Sequence, residues 1–241
     1  MNFFNNFKSK LEEIIKSLSS RRYFMDRKEN QKYTDDDKVS ELSYEWIMEL
    51  YAKNMGRDPD PLIDPHLMNT YEWLMKLYPE SSFCLQLGAQ LHDIDRGIDE
   101  YCSYNGNQPY SERKKTHSHR SAEIVRAKFK EWNAHPSLIH KVCSLIEYHD
   151  RDVVPTMQAW KKDLARLRDA DTASFLEVNF TKYMEQNEFG HVKQNFVYRI
   201  NKLSDEAKRN IDVKKLIKKR TIELKEAEAK IIEEIKKQYL K

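Results

Sequence analysis

Apolar side chains recur along most of this chain at the three- and four-residue intervals of an amphipathic helix, and no stretch shows a convincing strand alternation. Phe3, Phe4, Phe7, Leu11, Ile14, Ile15 and Leu18 share one side of a helix predicted over 3–18. Such a helix either lies on a membrane surface or partner, or packs on its own domain, and packing is the preferred reading. A polar linker follows from Ser19 to about Asp37, and Asp35, Asp36 and Asp37 supply caps for the next helix. That helix carries Leu42, Trp46, Ile47, Leu50 and Tyr51. Further helices are predicted near 65–78, 82–95, 118–132, 137–149 and 157–186. Pro65 and Pro136 suit first turns, and Pro79 suits a helix end.

Between these helices, the segment 97–116 is polar and aromatic and contains Gly106 and Pro109. It reads as a long functional loop. Near the end of the chain, Ile217, Leu224 and Ile231 repeat at seven-residue spacing in a lysine- and glutamate-rich stretch. A dimerising coiled coil and a long surface helix both fit that pattern, and Glu228 interrupts the seam. The expected architecture is all-α: an extension and linker over 1–37, a helical domain over 38–190 and a helical extension over 191–241.

Composition narrows the function classes. Five glycines in 241 residues leave little material for phosphate-cradling loops, dinucleotide folds or turn-rich β architectures. Charged residues make up 34%, yet the net charge is only +3, so nothing compels a nucleic-acid partner. Cys84, Cys102 and Cys143 are scattered rather than paired as in a zinc ribbon, which suits a reducing compartment. No apolar run reaches the ~20 residues of a membrane span. A soluble cytoplasmic protein is therefore expected.

The chemistry lies in the histidines. Along the chain come His66, the dipeptide His92-Asp93, His117, His149 and Asp171, each in or beside a predicted helix. Imidazoles and carboxylates from several helices of a bundle can meet around one metal ion. Without such an ion or strong partners their burial would be costly. His119 rivals His117 for a place in the set, and Asp169 rivals Asp171. His135 and His140 read as surface or helix-terminal residues, and His191 as part of a C-terminal loop.

The order H…HD…H…H…D, with LGAQLHDIDRG at 87–97, THSHRSAEIV at 116–125, LIEYHDRD at 145–152 and LARLRDADTASFLE at 164–177, resembles the HD-domain superfamily of metal-dependent phosphohydrolases. The resemblance covers about residues 60–180. It implies an HD-type helical bundle in which His66, His92, Asp93 and Asp171 hold a divalent metal. It further implies that His117 and His149 either hold a second metal or contact the substrate's phosphate. Arg96 resembles a basic residue that some members place near the substrate, and a salt bridge to Asp95 or Asp99 is its alternative.

Mixed nitrogen and carboxylate ligands suit manganese, iron, cobalt, nickel or zinc better than magnesium. The implied activity is hydrolysis of a nucleotide or other small phosphate ester by metal-activated water. Asp93 would orient or deprotonate the water, and His117, His149 and Arg96 would stabilise charge on the phosphate. Arg113, Lys114, Lys115, Arg120 and Arg151 lie near the motifs and either attract the anion or form a solvated face. Tyr101, Tyr104 and Tyr110 either stack on a base or pack the loop. Asp95 stands where the cyclic-dinucleotide branch has glycine, which argues against that branch. Two other classes are weighed: a di-iron oxygenase, which the same ligands can serve, and a non-catalytic nucleotide-binding or scaffold module working through its terminal helices, against which the ligand set argues; those helices also offer a homodimer interface.

Overall fold

The structure, a computed structural model, describes residues 33–54, 64–98, 110–151, 158–180, 183–184 and 187–211. The amphipathic stretch 3–18, Tyr101, Tyr104 and the seven-residue pattern beyond Ile211 lie outside the described residues. So do the side chains of Tyr110, Arg113, Lys114 and Lys115.

The fold is all-α, and among the described residues there is no strand, only an isolated parallel bridge between Thr34 and Ala134. In chain order the helices are α1 (Asp36–Asn54), α2 (Asp64–Leu77), α3 (Phe83–Leu91), α4 (Tyr110–Glu131), α5 (Pro136–Tyr148), α6 (Gln158–Ser174), α7 (Phe189–Lys202) and α8 (Asp205–Asn210). Local chemistry explains most of the boundaries. Asp35 accepts from Lys38 N at 2.8 Å before α1, and Ser82 does so from Leu85 N at 3.4 Å before α3. Pro136 opens α5, with His135 as its N-cap. Asn133, at φ 54°, takes the left-handed conformation that ends α4.

Three helix readings need correction. The helix expected over 82–95 ends at Leu91, followed by a turn and a 3-10 segment, Ile94–Gly97. The segment 97–116 is not all loop, because α4 already begins at Tyr110. His191 stands exposed on α7 rather than in a loop. No helix among the described residues is long and apolar enough to cross a membrane.

The short helix α3 organises the bundle. Apolar residues dominate this helix, and every residue from Leu85 to Leu91 is buried, Gln86 and Gln90 included. Leu85 and Ala89, one turn apart, enter a cluster with Leu74, Leu145, Leu167 and Phe196. Leu87 and Leu91 point the other way, into a cluster with Ile47, Val125, Phe129 and Ile146. The chain leaving α3 therefore emerges inside the protein, and His92 and Asp93 are delivered there. The first of these clusters also takes Val192, Phe196, Leu203, Ala207 and Ile211, so α7 and α8 pack on the same core as α2, α3 and α6.

Gly88 sits mid-helix, where a Cβ would meet Leu145 Cβ at 3.5 Å and Leu167 Cδ2 at 3.8 Å, ordinary contact distances. Glycine inside a helix costs about 0.5–1 kcal/mol relative to alanine. Gly88→Ala is therefore expected to raise stability by up to about 1 kcal/mol, read as a higher urea midpoint with an unchanged slope. A lower midpoint would mean that the neighbouring leucines cannot accommodate one methyl group.

Candidate metal centre

The two His-Asp dipeptides are built alike. His92 and His149 each follow the last residue of a helix, α3 and α5, with nearly identical backbone angles, φ −59° and ψ −34° against φ −59° and ψ −33°. Each ring folds back on its own helix end: His92 Nδ1 donates to Ala89 O at 3.0 Å, and His149 Nδ1 to Ile146 O at 2.6 Å. A carbonyl can only accept, so both Nδ1 atoms carry hydrogen and both Nε2 atoms are directed elsewhere.

His66, near the start of α2, is gripped from α6. Ser174 Oγ donates to His66 O at 3.0 Å and accepts from His66 Nδ1 at 2.9 Å, while Asp171 Oδ1 lies 3.0 Å from Nε2 on the other edge of the ring. Asp171 and Ser174 are three apart and so share one helix face. After Ser174 the helix widens into a π segment, Phe175–Asn179, a feature common at functional sites. Its Glu177 accepts from Asn69 Nδ2 at 3.2 Å and Trp73 Nε1 at 2.7 Å, tying α6 again to α2.

Five donor atoms converge. His92 Nε2 is 3.3 Å from His66 Nε2 and 3.7 Å from Asp171 Oδ1. Asp93 adds Oδ2 at 3.9 Å from His66 Nε2 and Oδ1 at 3.8 Å from His92 Nε2. His117 Nδ1 and His149 Nε2 also face Asp93 Oδ1, at 3.3 and 3.6 Å. Asp93 Oδ1 and His117 Nδ1 are nevertheless buried and form no hydrogen bond, because proximity here comes without the alignment a hydrogen bond requires. Metal–ligand bonds of about 2.1 Å put neighbouring donors roughly 3.0 Å apart in an octahedral shell and about 3.4 Å in a tetrahedral one. The observed spacings run from 3.0 Å, the octahedral value, to 3.9 Å, somewhat beyond the tetrahedral one. His66, His92 and Asp171 form one group able to hold a metal; His92, Asp93 and His149 form a second; His117, His149 and Asp150 form a third.

The electrostatics separate the histidines. Burial pushes His66 down and His149 down to about 4, so both stay neutral at pH 7. Burial also acts to lower His92, but the carboxylates of Asp93 and Asp171 outweigh it and the net shift is upward. His117, again against burial, is pushed up to about 9 by Asp93, Asp150 and Asp95. Burial would raise both aspartates as well. Arg96 and the imidazoles of His117, His92 and His149 instead hold Asp93 below the usual carboxylate range, and His66 and His92 hold Asp171 well below it. Both carboxylates are therefore ionised, the form that metal binding would require.

The rival residues lie apart from the cluster. His119 is more than half exposed and faces Glu147 at 3.6 Å. Asp169 points away from the cluster, accepting from Tyr78 OH at 2.5 Å and from Ser204 N and Oγ at 2.7 and 2.6 Å. His135 caps α5, and His140 is exposed beside the Trp160 ring. Arg96 Nε pairs with Asp93 Oδ2 at 2.9 Å, while Asp95 is engaged by Arg120 at 2.9 Å and Ser121 at 2.9 Å. Arg151 pairs with Glu147 at 3.0 Å.

Asp150 is the site residue that sequence reasoning passed over. It accepts from His117 Nε2 at 3.1 Å and completes the third group. Its signal was present as a second His-Asp dipeptide, at 149–150. Side-chain exposure rises from 0% at His92 to 15% at Asp171, 16% at Asp150 and 40% at Arg96, the most exposed of these four.

The family model of the HD domain matches residues 46–178, more than half of the 241, and the chain belongs to that family. The family consists mostly of metal-dependent hydrolases. No curated protein and no solved structure gives a significant match.

Proposed function

We propose that this protein is a metal-dependent phosphohydrolase acting on a nucleotide or another small phosphate ester. The observation that carries the reading is the pair of imidazole Nε2 atoms of His66 and His92, 3.3 Å apart with Nδ1 hydrogen-bonded elsewhere, both facing Asp171 Oδ1. With both rings neutral, the two Nε2 lone pairs would be offered to one cation placed between them and Asp171. The donor set of His66, His92, Asp93 and Asp171 suits a borderline divalent ion such as manganese, iron, cobalt, nickel or zinc.

Such an ion, when bound, polarises a phosphoryl oxygen and acidifies water. The chain's own residues supply the rest. Arg96 holds the Asp93 carboxylate through Oδ2 at 2.9 Å, leaving Oδ1 towards the histidines and able to orient a water. His117 brings positive charge to the same place and stabilises negative charge on a phosphate. His149 lines the wall as a neutral imidazole. Arg96, 40% exposed beside Asp93, offers positive charge to an entering anion.

A second reading rests on Asp93 Oδ1, which lies between the first donor group and the His117–His149–Asp150 group. That arrangement would let two ions bind, and two irons there would supply the oxygen activation that an oxygenase needs. The test is elemental analysis of gently purified protein together with a turnover screen on nucleotides and p-nitrophenyl phosphate, with manganese, cobalt, nickel, magnesium or zinc added singly. Bound transition metal with ester turnover is the expected result. Two irons per chain without turnover would favour the oxygenase, and neither metal nor turnover would sink both.

A further inference from the structure

The family match stops at residue 178, yet α7 and the turn after it reach back to the site. Resting on the reading above, we propose that Lys202 is a positioning residue for His117, acting through Asp150.

The turn is well anchored. Leu203 is buried, and Ser204 donates from N and Oγ to the two oxygens of Asp169 at 2.7 and 2.6 Å. Asp169 is on α6, two residues before Asp171, so the helix that bears Asp171 also fixes the backbone next to Lys202. The Lys202 Nζ atom lies 4.7 Å from the Tyr198 ring centroid and 3.7 Å from Asp150 Oδ1. The side chains of Lys202 and Asp150 are only 18% and 16% exposed, so this pair is screened less than a surface ion pair.

Asp150 is held from two further directions. Its second oxygen, Oδ2, accepts from His117 Nε2 at 3.1 Å. On the backbone side, the Arg168 guanidinium donates to the carbonyls of Tyr148 at 3.1 Å, His149 at 2.8 Å and Arg151, bracketing Asp150. A carboxylate that accepts from one edge of an imidazole fixes the orientation of the other edge; here that other edge is Nδ1, 3.3 Å from Asp93 Oδ1. The rival partner for Asp150 Oδ2 is His149 Nε2, at 3.9 Å. Lys202 attracts Oδ1, 3.7 Å away, and so favours the carboxylate orientation in which Oδ2 stays on His117. Without that charge Oδ2 is held less firmly on His117, and the ring loses part of its support.

The test uses the full chain with Lys202→Met and Lys202→Arg. Three quantities are measured: metal per chain, kcat and KM for p-nitrophenyl phosphate, and the His117 Nε2–H proton–nitrogen signal in metal-free protein. Lys202→Met is expected to keep its metal and KM and to lose about tenfold in kcat, the lower end of what outer-sphere substitutions cost. The His117 signal is expected to move or broaden, and Lys202→Arg to restore both. Unchanged kcat and an unchanged His117 signal in Lys202→Met would overturn the proposal. So would a Lys202→Arg protein that fails as badly as Lys202→Met with a matching fall in unfolding temperature, since Lys202 would then be structural. If the wild-type chain hydrolyses no ester, the functional reading falls, and the His117 signal alone decides whether Lys202 positions the ring.

Discussion

Alanine at Asp171 is expected to strip the protein of its transition metal and to lower ester turnover by on the order of 10³-fold or more, since metal polarisation supplies several kcal/mol of transition-state stabilisation. Asp171 Oδ1 is within 3.0 Å of His66 Nε2 and 3.7 Å of His92 Nε2. Its removal leaves the two imidazoles facing one another at 3.3 Å with one anion fewer to offset a divalent charge. The fold should persist, because α6 is anchored by Leu164, Leu167, Ala170 and Ala173, all fully buried and unaffected. Elemental analysis, turnover and circular dichroism on the same preparation check this. A variant that keeps its metal and its rate would remove Asp171 from the proposed ligand set.

Asp169→Ala, two residues earlier, should behave in the opposite way. Its carboxylate accepts three hydrogen bonds, from Tyr78 OH, Ser204 N and Ser204 Oγ, and the residue is 1% exposed. Hydrogen bonds to a charged group contribute about 1.5–3 kcal/mol each, and a buried donor left unpaired costs about 1–3 kcal/mol. Because Ser204 can relax with its turn, the expected loss is about 3 kcal/mol rather than the sum. For a chain of this size that lowers the unfolding temperature by about 10 °C. Metal per folded chain should stay at the wild-type level when measured well below that temperature. A thermally normal Asp169→Ala that had lost metal would exchange the roles assigned to the two aspartates.

The contrast between these neighbours shows why spacing alone left both in contention. Residues two apart on a helix point roughly 200° away from each other. One of Asp169 and Asp171 must therefore face away from any site the other faces, and the string RDAD does not say which. His117 and His119 pose the same problem, and there the sequence did hold a usable signal. His117 lies four and eight residues before Ser121 and Val125, on the buried stripe of α4, whereas His119 lies four before the exposed Glu123. The end of α3 was harder to read. His92 keeps helical angles, and only Asp93, at φ −113° and ψ 24°, breaks the helix. No proline or glycine marks that break, and the 3-10 turn after it is held by contacts from Asp95 to Arg120 and Ser121 on α4.

The amino-acid pattern by itself determined that the described part of this protein is helical, because the interval between apolar side chains is a local property and each helix must bury one face. It also determined the order of histidines and aspartates that resembles the HD family, to which the chain belongs. The tertiary structure alone decided which members of that order meet. It set His66 against α6, turned Asp169 to Ser204 and brought Lys202, 52 residues beyond Asp150 in sequence, to within 3.7 Å of it. Such meetings depend on how α2, α6 and α7 pack around the buried α3, and helical periodicity carries no record of packing partners distant along the chain.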